Sequence, residues 1–397
     1  MADSSTDFDV VLLGATGFTG GLTAGHLARH GPAGLRWALA GRDRRRLDAV
    51  RERVSGLGPA GATVSTVVTD VSDAASLRSV ADRTRVLATT AGPYARIGEP
   101  VVAACADTGT DYADVCGERE FLDRMWLAHH QRALATGARI VHACGFDSVP
   151  HDLGALFTVQ QLPAGVPVTI AAYVRAAAGV SGGTYHSAVR AFSRMRPTAE
   201  VAERRRRSEP PLRGRRVRAL PDRLRRGPDG TGWALPLPTI DGTVVRRSAR
   251  ALDRFGPDFA YGHFALIRRL PVAVASMLAL GGVVAVAQLP PGRDLLLRAR
   301  PVGRGPSAEQ RARSWFQIQF VGEGGGQRVV TEVRGGDPGY DGAAIMLGES
   351  ALCLALDDLP RTAGQVTTAE AMGDTLRNRI QAAGIDVSLL QQGPTGV

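Results

Sequence analysis

Lysine is absent. All 48 basic residues of this 397-residue chain are arginine, and that absence removes whole classes of chemistry. Schiff-base catalysis is closed, as is any lysine-assisted catalytic dyad. The tyrosine–lysine pair of short-chain dehydrogenases is excluded, and so is a phosphate loop that depends on a lysine. Cysteine is scarce. Cys105, Cys116, Cys144 and Cys353 show no CxxC spacing, which argues against a zinc site and against a disulfide framework. Aromatic residues make up only 5% of the chain, and none lies in its most basic stretch. That stretch, 204–226, "RRRRSEPPLRGRRVRALPDRLRR", holds eleven arginines against Glu209 and Asp222, so most of the formal charge of +10 sits there. With no ring to stack on bases, no nucleic-acid partner is expected. The opening "MADSSTDFD" is acidic and polar. It reads as no signal peptide, and a cytoplasmic protein is expected.

What is present is the composition of a folded globular chain, 44% hydrophobic and 22% charged. The length suits two domains, or one large domain with a second embedded in it. Over residues 1–150, strand-like runs (8–13, 36–41, 62–70, 85–94, 110–115, 138–145) alternate with helical patterns (18–29, from 43, 98–107, 119–136). That alternation predicts a Rossmann-type α/β domain with a doubly wound parallel sheet. From 151 to 338 the texture changes to α+β with a mainly antiparallel sheet. Residues 167–176 and 183–192 read as strand-like or mixed, and 313–336 reads as a hairpin around a glycine turn. A proline- and arginine-rich insertion covers 197–230. Residues 339–397 read as helices (341–358, 368–383) packing back on the first domain.

One run, 270–292, carries no charge over 23 residues and is flanked by Arg268, Arg269 and Arg293. It is long enough to span a bilayer. Pro271 and Gly281-Gly282 offer break points for two short helices. A lip for an acyl chain, a seat on a bilayer surface, a core helix pair and a true span all fit the composition.

The glycines of "LLGATGFTGG" follow the first strand as GxxGxxG. Gly14 permits the turn, Gly17 lets a pyrophosphate approach, and Gly20 lets the helix pack on the sheet. The same spacing also serves a bare strand-to-helix turn. The next strand ends in "AGRD", which puts Arg42 where a 2′-phosphate would lie, although a solvated helix-start arginine is the alternative. Together they predict NADP(H) bound by Gly14, Ala15, Thr16, Gly17, Phe18, Thr19 and Gly20, with Arg42, Asp70 and the loop Thr90, Ala91, Gly92, Pro93. Tyr94 is the leading proton donor, with Tyr185 and His186 from the second domain as runners-up. Cys116, Glu118, His142, Asp147 and Ser148 also converge on strand ends, though Asp147 and Ser148 could simply cap a helix. No metal site is expected.

"VVLLGATGFTG", "WALAGRD", "TTAGPYARIGEPVVAACADTGTDYADVCGE", "ARIVHACGFDSVPHDLG" and "GGDPGYDGAAIMLGESALCLALDDLP" resemble the saccharopine dehydrogenase-like oxidoreductases, and most closely their trans-acting enoyl reductase branch. The resemblance implies an NADPH-dependent reductase of a carbon–carbon double bond. The substrate would be a polyketide- or lipid-derived acyl intermediate made by a synthase without a working reductase of its own. An acidic carrier protein or anionic lipid is then the expected partner of 204–226. Contact with the inner face of the plasma membrane through 204–226 and 270–292 is expected too, and an oligomer is possible. A carbon–nitrogen oxidoreductase and a non-catalytic, NADP-binding lipid scaffold are the alternatives.

Overall fold

The computed structural model describes residues 6–178, 182–299 and 305–395. Its strands, in chain order, are β1 (Phe8–Leu13), β2 (Trp37–Gly41), β3 (Val64–Val68), β4 (Thr84–Thr89), β5 (Asp111–Asp114), β6 (Arg139–Val141), β7 (Val168–Ala177), β8 (Arg216–Ala219), β9 (Arg225–Arg226), β10 (Trp233–Pro236), β11 (Asp258–Ile267), β12 (Trp315–Gly324), β13 (Gln327–Gly335), β14 (Gly364–Val366) and β15 (Asp386–Pro394). The chain divides into two compact units. One comprises residues 1–146 and 340–383, the other 147–339 and 384–397.

The first unit is a seven-stranded sheet in the order β14-β6-β5-β4-β1-β2-β3, with every pairing parallel. β1 sits inside it between β4 and β2, and Val10 to Leu13 are buried on both faces, which is why the strand reads as an unbroken apolar run. The order reverses between β1 and β4, and such a switch point opens a crevice at the carboxyl ends of the strands. The helix Asp341–Leu356 packs against the helix Phe18–His30 and the sheet. Gly348 makes that approach possible, since a Cβ there would stand 2.6 Å from His26 Cδ2. The contact is locked by His26 Nε2 against Glu349 Oε1 at 2.7 Å and by Arg379 Nη1 against Glu349 Oε2 at 3.2 Å.

The second unit is built on an eight-stranded sheet, β15-β13-β12-β7-β11-β10-β9, with β8 added on β11. Only β7–β11 and β8–β11 are parallel. The β12–β13 hairpin turns on Gly325 and Gly326, at φ +58° and +74°, a left-handed pair that glycine adopts without strain. The helix Val149–Gln160 packs on β12 and β13. Gly154 allows it, since a Cβ there would lie 2.4 Å from the Phe320 ring.

Four expectations are corrected. Residues 183–192 are not strand-like: they lie in the helix Gly182–Ser193, where Tyr185, Val189 and Phe192 repeat at helical spacing. The C-terminal segment is not all helix. β14 joins the first sheet, and β15 leaves the helices to pair with β13. The apolar run does not break at Gly281-Gly282 and forms one helix, Leu270–Gln288. The basic insertion, whose composition also allowed a solvated, partly disordered loop, contains instead the helix Met195–Ser208 and the paired strands β8 and β9.

Its arginines are mostly engaged within the fold. Arg205 pairs with Glu209 at 2.6 Å, and Arg206 and Arg207 pair with Glu203. Arg215 bonds the Ala249 and Leu252 carbonyls and Asp253, and Arg218 pairs with Asp258. Arg225 lies 3.7 Å over the Phe264 ring and Arg226 4.3 Å over Trp233. All four cysteines are buried, and none forms a disulfide.

Candidate active site

The turn between β1 and the helix Phe18–His30 is shaped by what glycine lacks. Gly14 has φ +86°, and a Cβ there would meet Ala91 N at 2.9 Å. At Gly20 a Cβ would stand 2.2 Å from the Gly14 carbonyl oxygen. Thr90 closes the turn from β4, its amide donating to Leu13 O at 3.0 Å and its hydroxyl to Gly14 O at 3.2 Å. Ala91 N is held by the Thr89 hydroxyl at 3.1 Å, which presents Gly92 and Pro93 as the next stretch of exposed loop. Ala15 is buried, while Thr16, Gly17, Phe18 and Thr19 rise to the surface. The helix starts at Gly17 with no side-chain cap and no acid in its first turn. Its positive end is therefore left to an outside anion. A pyrophosphate fits this cradle, and a side chain on Gly14 or Gly20 would fill it.

Arg42 ends β2 and is exposed. Asp43 does not compete for a ribose, because its carboxylate caps the next helix through Arg46 N at 3.1 Å. Asp70 is bound by the amide and hydroxyl of Ser72 at 2.9 and 2.8 Å. Those bonds, with Arg42 adding a smaller effect, hold its carboxyl below the ordinary value. Sequence reading missed Arg46, one helical turn beyond Arg42, whose Nη2 reaches Thr16 O at 3.4 Å. Arg46 thus stands against the glycine turn, one helical turn beyond Arg42, and both guanidinium groups could hold a phosphate. The run "GRDRRR" contained the signal, but only the turn of the helix selects the fourth arginine position.

The proposed proton donors are placed differently from one another. Tyr94 is 6% exposed, donates to Thr89 O at 2.9 Å and accepts from Val115 N at 3.4 Å. Burial drives its hydroxyl well above the usual tyrosine range. As held here it braces the loop rather than facing a substrate. Tyr185 and His186 lie half-buried on the helix Gly182–Ser193, their ring centroids 6.1 Å apart.

Two buried polar clusters take in some of the converging residues, Cys116 and His142 in the first and Asp147 beside the second, around partners the sequence reading did not name. In the first unit Asp114, fully buried, gathers His142 Nδ1 at 2.7 Å, the Tyr112 hydroxyl at 2.8 Å and the amides of Cys116 and Ala143. His142 Nε2 is buried with no hydrogen-bond partner. Glu118 turns aside to Ala95 N. In the second unit His151 Nδ1 meets the Tyr261 hydroxyl at 2.8 Å, and Thr239 Oγ1 meets His263 Nε2 at 2.6 Å. Asp241 lies between the two histidines, 3.7 Å from His151 and 3.6 Å from His263. Burial pushes Asp241 up to about 6, His151 down to about 3 and His263 down to about 4. Asp147 is raised to about 7 by burial and by the Asp241 charge. Ser148 does not cap the helix that follows it: its hydroxyl is buried without a partner. Only "PTIDG" and the alternation in "YGHF" hinted at this second cluster. Among the described residues no group of three His, Cys, Asp or Glu is arranged for a metal.

A relative from Mycobacterium tuberculosis, provisionally named a trans-acting enoyl reductase, is 39% identical over 421 aligned positions covering 98% of each chain. The chain belongs to the trans-acting enoyl reductase branch of the saccharopine dehydrogenase-like family. The family model described as Saccharopine dehydrogenase NADP binding domain matches residues 10–141, the stretch that holds the glycine turn, Arg42, Arg46 and the Thr90 loop. A trans-acting enoyl reductase of Mycobacterium ulcerans is 36% identical over 98% of this chain and 99% of its own. In fold, the chain is like apo saccharopine dehydrogenase (L-Glu forming) of Saccharomyces cerevisiae, with a TM-score of 0.55 and 12% identity over 96% of this chain and 99% of that one. The member described here is therefore an NADP(H)-dependent oxidoreductase.

Proposed function

We propose that this protein reduces the carbon–carbon double bond of a polyketide- or lipid-derived acyl thioester presented by a separate synthase or carrier. What carries the reading is the NADP cradle within a chain that matches proteins named for enoyl reduction from end to end. NADPH, when bound, supplies the hydride for the β-carbon. The chain's own tasks are to grip the cofactor, to steady the charge that gathers on the thioester oxygen, and to give a proton to the α-carbon. Gly14 to Gly20 and the Arg42–Arg46 pair do the first. With no lysine, backbone amides of the Gly92 loop do the second. The candidate donors are Tyr94, Tyr185 and His186, and Tyr185, half-buried on its own helix, is tested first. Exposed Arg204, Arg213, Arg216 and Arg223 remain for an acidic carrier. A cytoplasmic protein working at the inner face of a membrane completes the reading.

The test mixes the full-length chain with NADPH and a short enoyl-pantetheine thioester and follows NADPH absorbance. Oxidation of NADPH with formation of the saturated thioester is expected. Tyr185→Phe should slow turnover about 100-fold while leaving NADPH affinity unchanged. Arg46→Ser combined with Arg42→Ser should weaken NADPH about tenfold and leave NADH unaffected. Binding of NADPH without oxidation by any enoyl thioester would instead establish a scaffold. Turnover only with imines would establish a carbon–nitrogen oxidoreductase.

A further inference from the structure

The helix Leu270–Gln288 is 19 residues long and carries no charge, yet only Ala273 and Ala287 on it are buried. Val272, Val274, Met277, Leu278 and Val286 are exposed, and Leu278 is 69% exposed. A surface helix ordinarily turns a polar face to water. This one has none to turn, and so large an exposed apolar surface marks a contact site.

Topology rules out a span. β11 and β12 both pair with β7, and Ile267, Ala177 and Trp315 lie at one end of the sheet. The chain leaves the sheet after Ile267 and rejoins it at Trp315, at that same end. The helix that follows, Pro290–Ala299, carries Arg293, Asp294 and Arg298. Its ten residues reach about 15 Å, half of a hydrocarbon core. This helix, the apolar helix and Gly182–Ser193 pack on one another, and the Gln288 side chain donates to Phe192 O. They form a helical cap over that sheet end.

The rim of the cap is cationic and aromatic. Arg268 and Arg269 are exposed where the apolar helix begins. Trp233, opposite Ile267, carries Arg226 over its ring, and Trp315 is 44% exposed. Tryptophan and arginine around an apolar surface are the side chains that sit at headgroup depth.

We infer that this helical cap seats the protein on an anionic bilayer from one side, with Leu270–Gln288 lying in the interface and the arginine–tryptophan rim at the headgroups. Charge selects the occupant. A second copy would bring the same arginines face to face, whereas an anionic leaflet neutralises them. The inference does not depend on the reductase reading.

The experiment floats the full-length protein with vesicles of phosphatidylcholine containing about a third phosphatidylglycerol, and with phosphatidylcholine alone. Flotation with the anionic vesicles is expected, about tenfold weaker with the neutral ones. Leu278→Glu with Leu295→Glu, both at exposed positions, should reduce flotation at least about tenfold. Arg268→Ser with Arg269→Ser should remove the preference for anionic vesicles. NADPH fluorescence enhancement should persist in every variant, which shows that the fold is kept. The inference is overturned if the wild type does not float, if the double glutamate variant floats equally well, or if that variant merely turns a dimer into a monomer. Enoyl-thioester turnover is read separately, so either result can fail alone.

Discussion

Two helices of this protein have nearly the same composition and opposite surroundings. Asp341–Leu356 buries all but three of its sixteen residues between the first helix and the parallel sheet. Leu270–Gln288, the more apolar of the two, buries two of its nineteen. The buried helix carries one charge in its interior, Glu349, and that charge is held by His26 and Arg379. The exposed helix carries none and needs none. A polar group inside a core must be paired, whereas apolar groups outside one need a second solvent. The contrast says that in this chain hydropathy identifies what avoids water, and only topology says where it goes.

Matched substitutions break or confirm that contrast with the largest expected effect. Leu352, fully buried, replaced by Asp places an unpaired carboxylate in the core and should cost about 5 kcal/mol, enough to abolish folding. Leu278→Asp should change stability by no more than about 0.5 kcal/mol. Thermal unfolding measures both. Equal losses would mean that the exposed helix is covered within the folded chain.

The next effect lies in the buried histidines and aspartates of the second unit. Asp241 is raised from 3.8 to about 6. The folded state therefore binds a proton there that the unfolded state has released, and stability falls as pH rises from about 4 to about 6. His151 and His263 are lowered to about 3 and about 4. They act in the opposite sense: the unfolded state holds protons that the fold refuses, and stability rises across much of the same window. Tyr261, Asp147 and Arg246 face the same cluster. Asp241→Asn deletes the Asp241 share of the falling slope, while Asp147, raised to about 7, keeps its own. The variant's stability relative to wild type should climb by about 3 kcal/mol between pH 4 and pH 6, as measured by urea unfolding at each pH. A flat difference would show that Asp241 titrates normally.

The parts of this architecture that were legible in the sequence are those set by neighbours along the chain. β1 is a continuous apolar run because it is buried on both faces. The helix Arg119–Thr136 ends where Gly137 can take φ +84°, and the β12–β13 turn is spelled by its glycines. The glycine cradle and Arg42 were legible for the same reason. What was not legible depends on partners far away in sequence. Asp114 and His142 are 28 residues apart, His151 and Tyr261 110. β15 is a strand only because β13 offers it an edge. The arginine run looked like a free basic patch because its acids and rings, Asp253, Asp258, Phe264 and Trp233, lie downstream of it.

The smallest effect concerns two tyrosines, of which the sequence ranked Tyr94 first. Tyr94 follows the cofactor loop, which recommended it as the acid, but its hydroxyl is buried and donates to the Thr89 carbonyl. Tyr185 is half-buried on the helix Gly182–Ser193. Tyr94→Phe keeps the ring against Phe121, 6.0 Å away, and loses two buried hydrogen bonds, to Thr89 O and from Val115 N, each worth about 1 kcal/mol. The Thr89–Pro93 loop should loosen, so NADPH should bind about twofold to fivefold more weakly while kcat falls by less than about tenfold. A proton donor behaves in the reverse way, with kcat collapsing and affinity intact. Measuring kcat and the NADPH dissociation constant on the same preparation separates the two. A loss of kcat beyond about 100-fold with unchanged affinity would return the acid's role to Tyr94 and would mean that its bond to Thr89 opens during turnover.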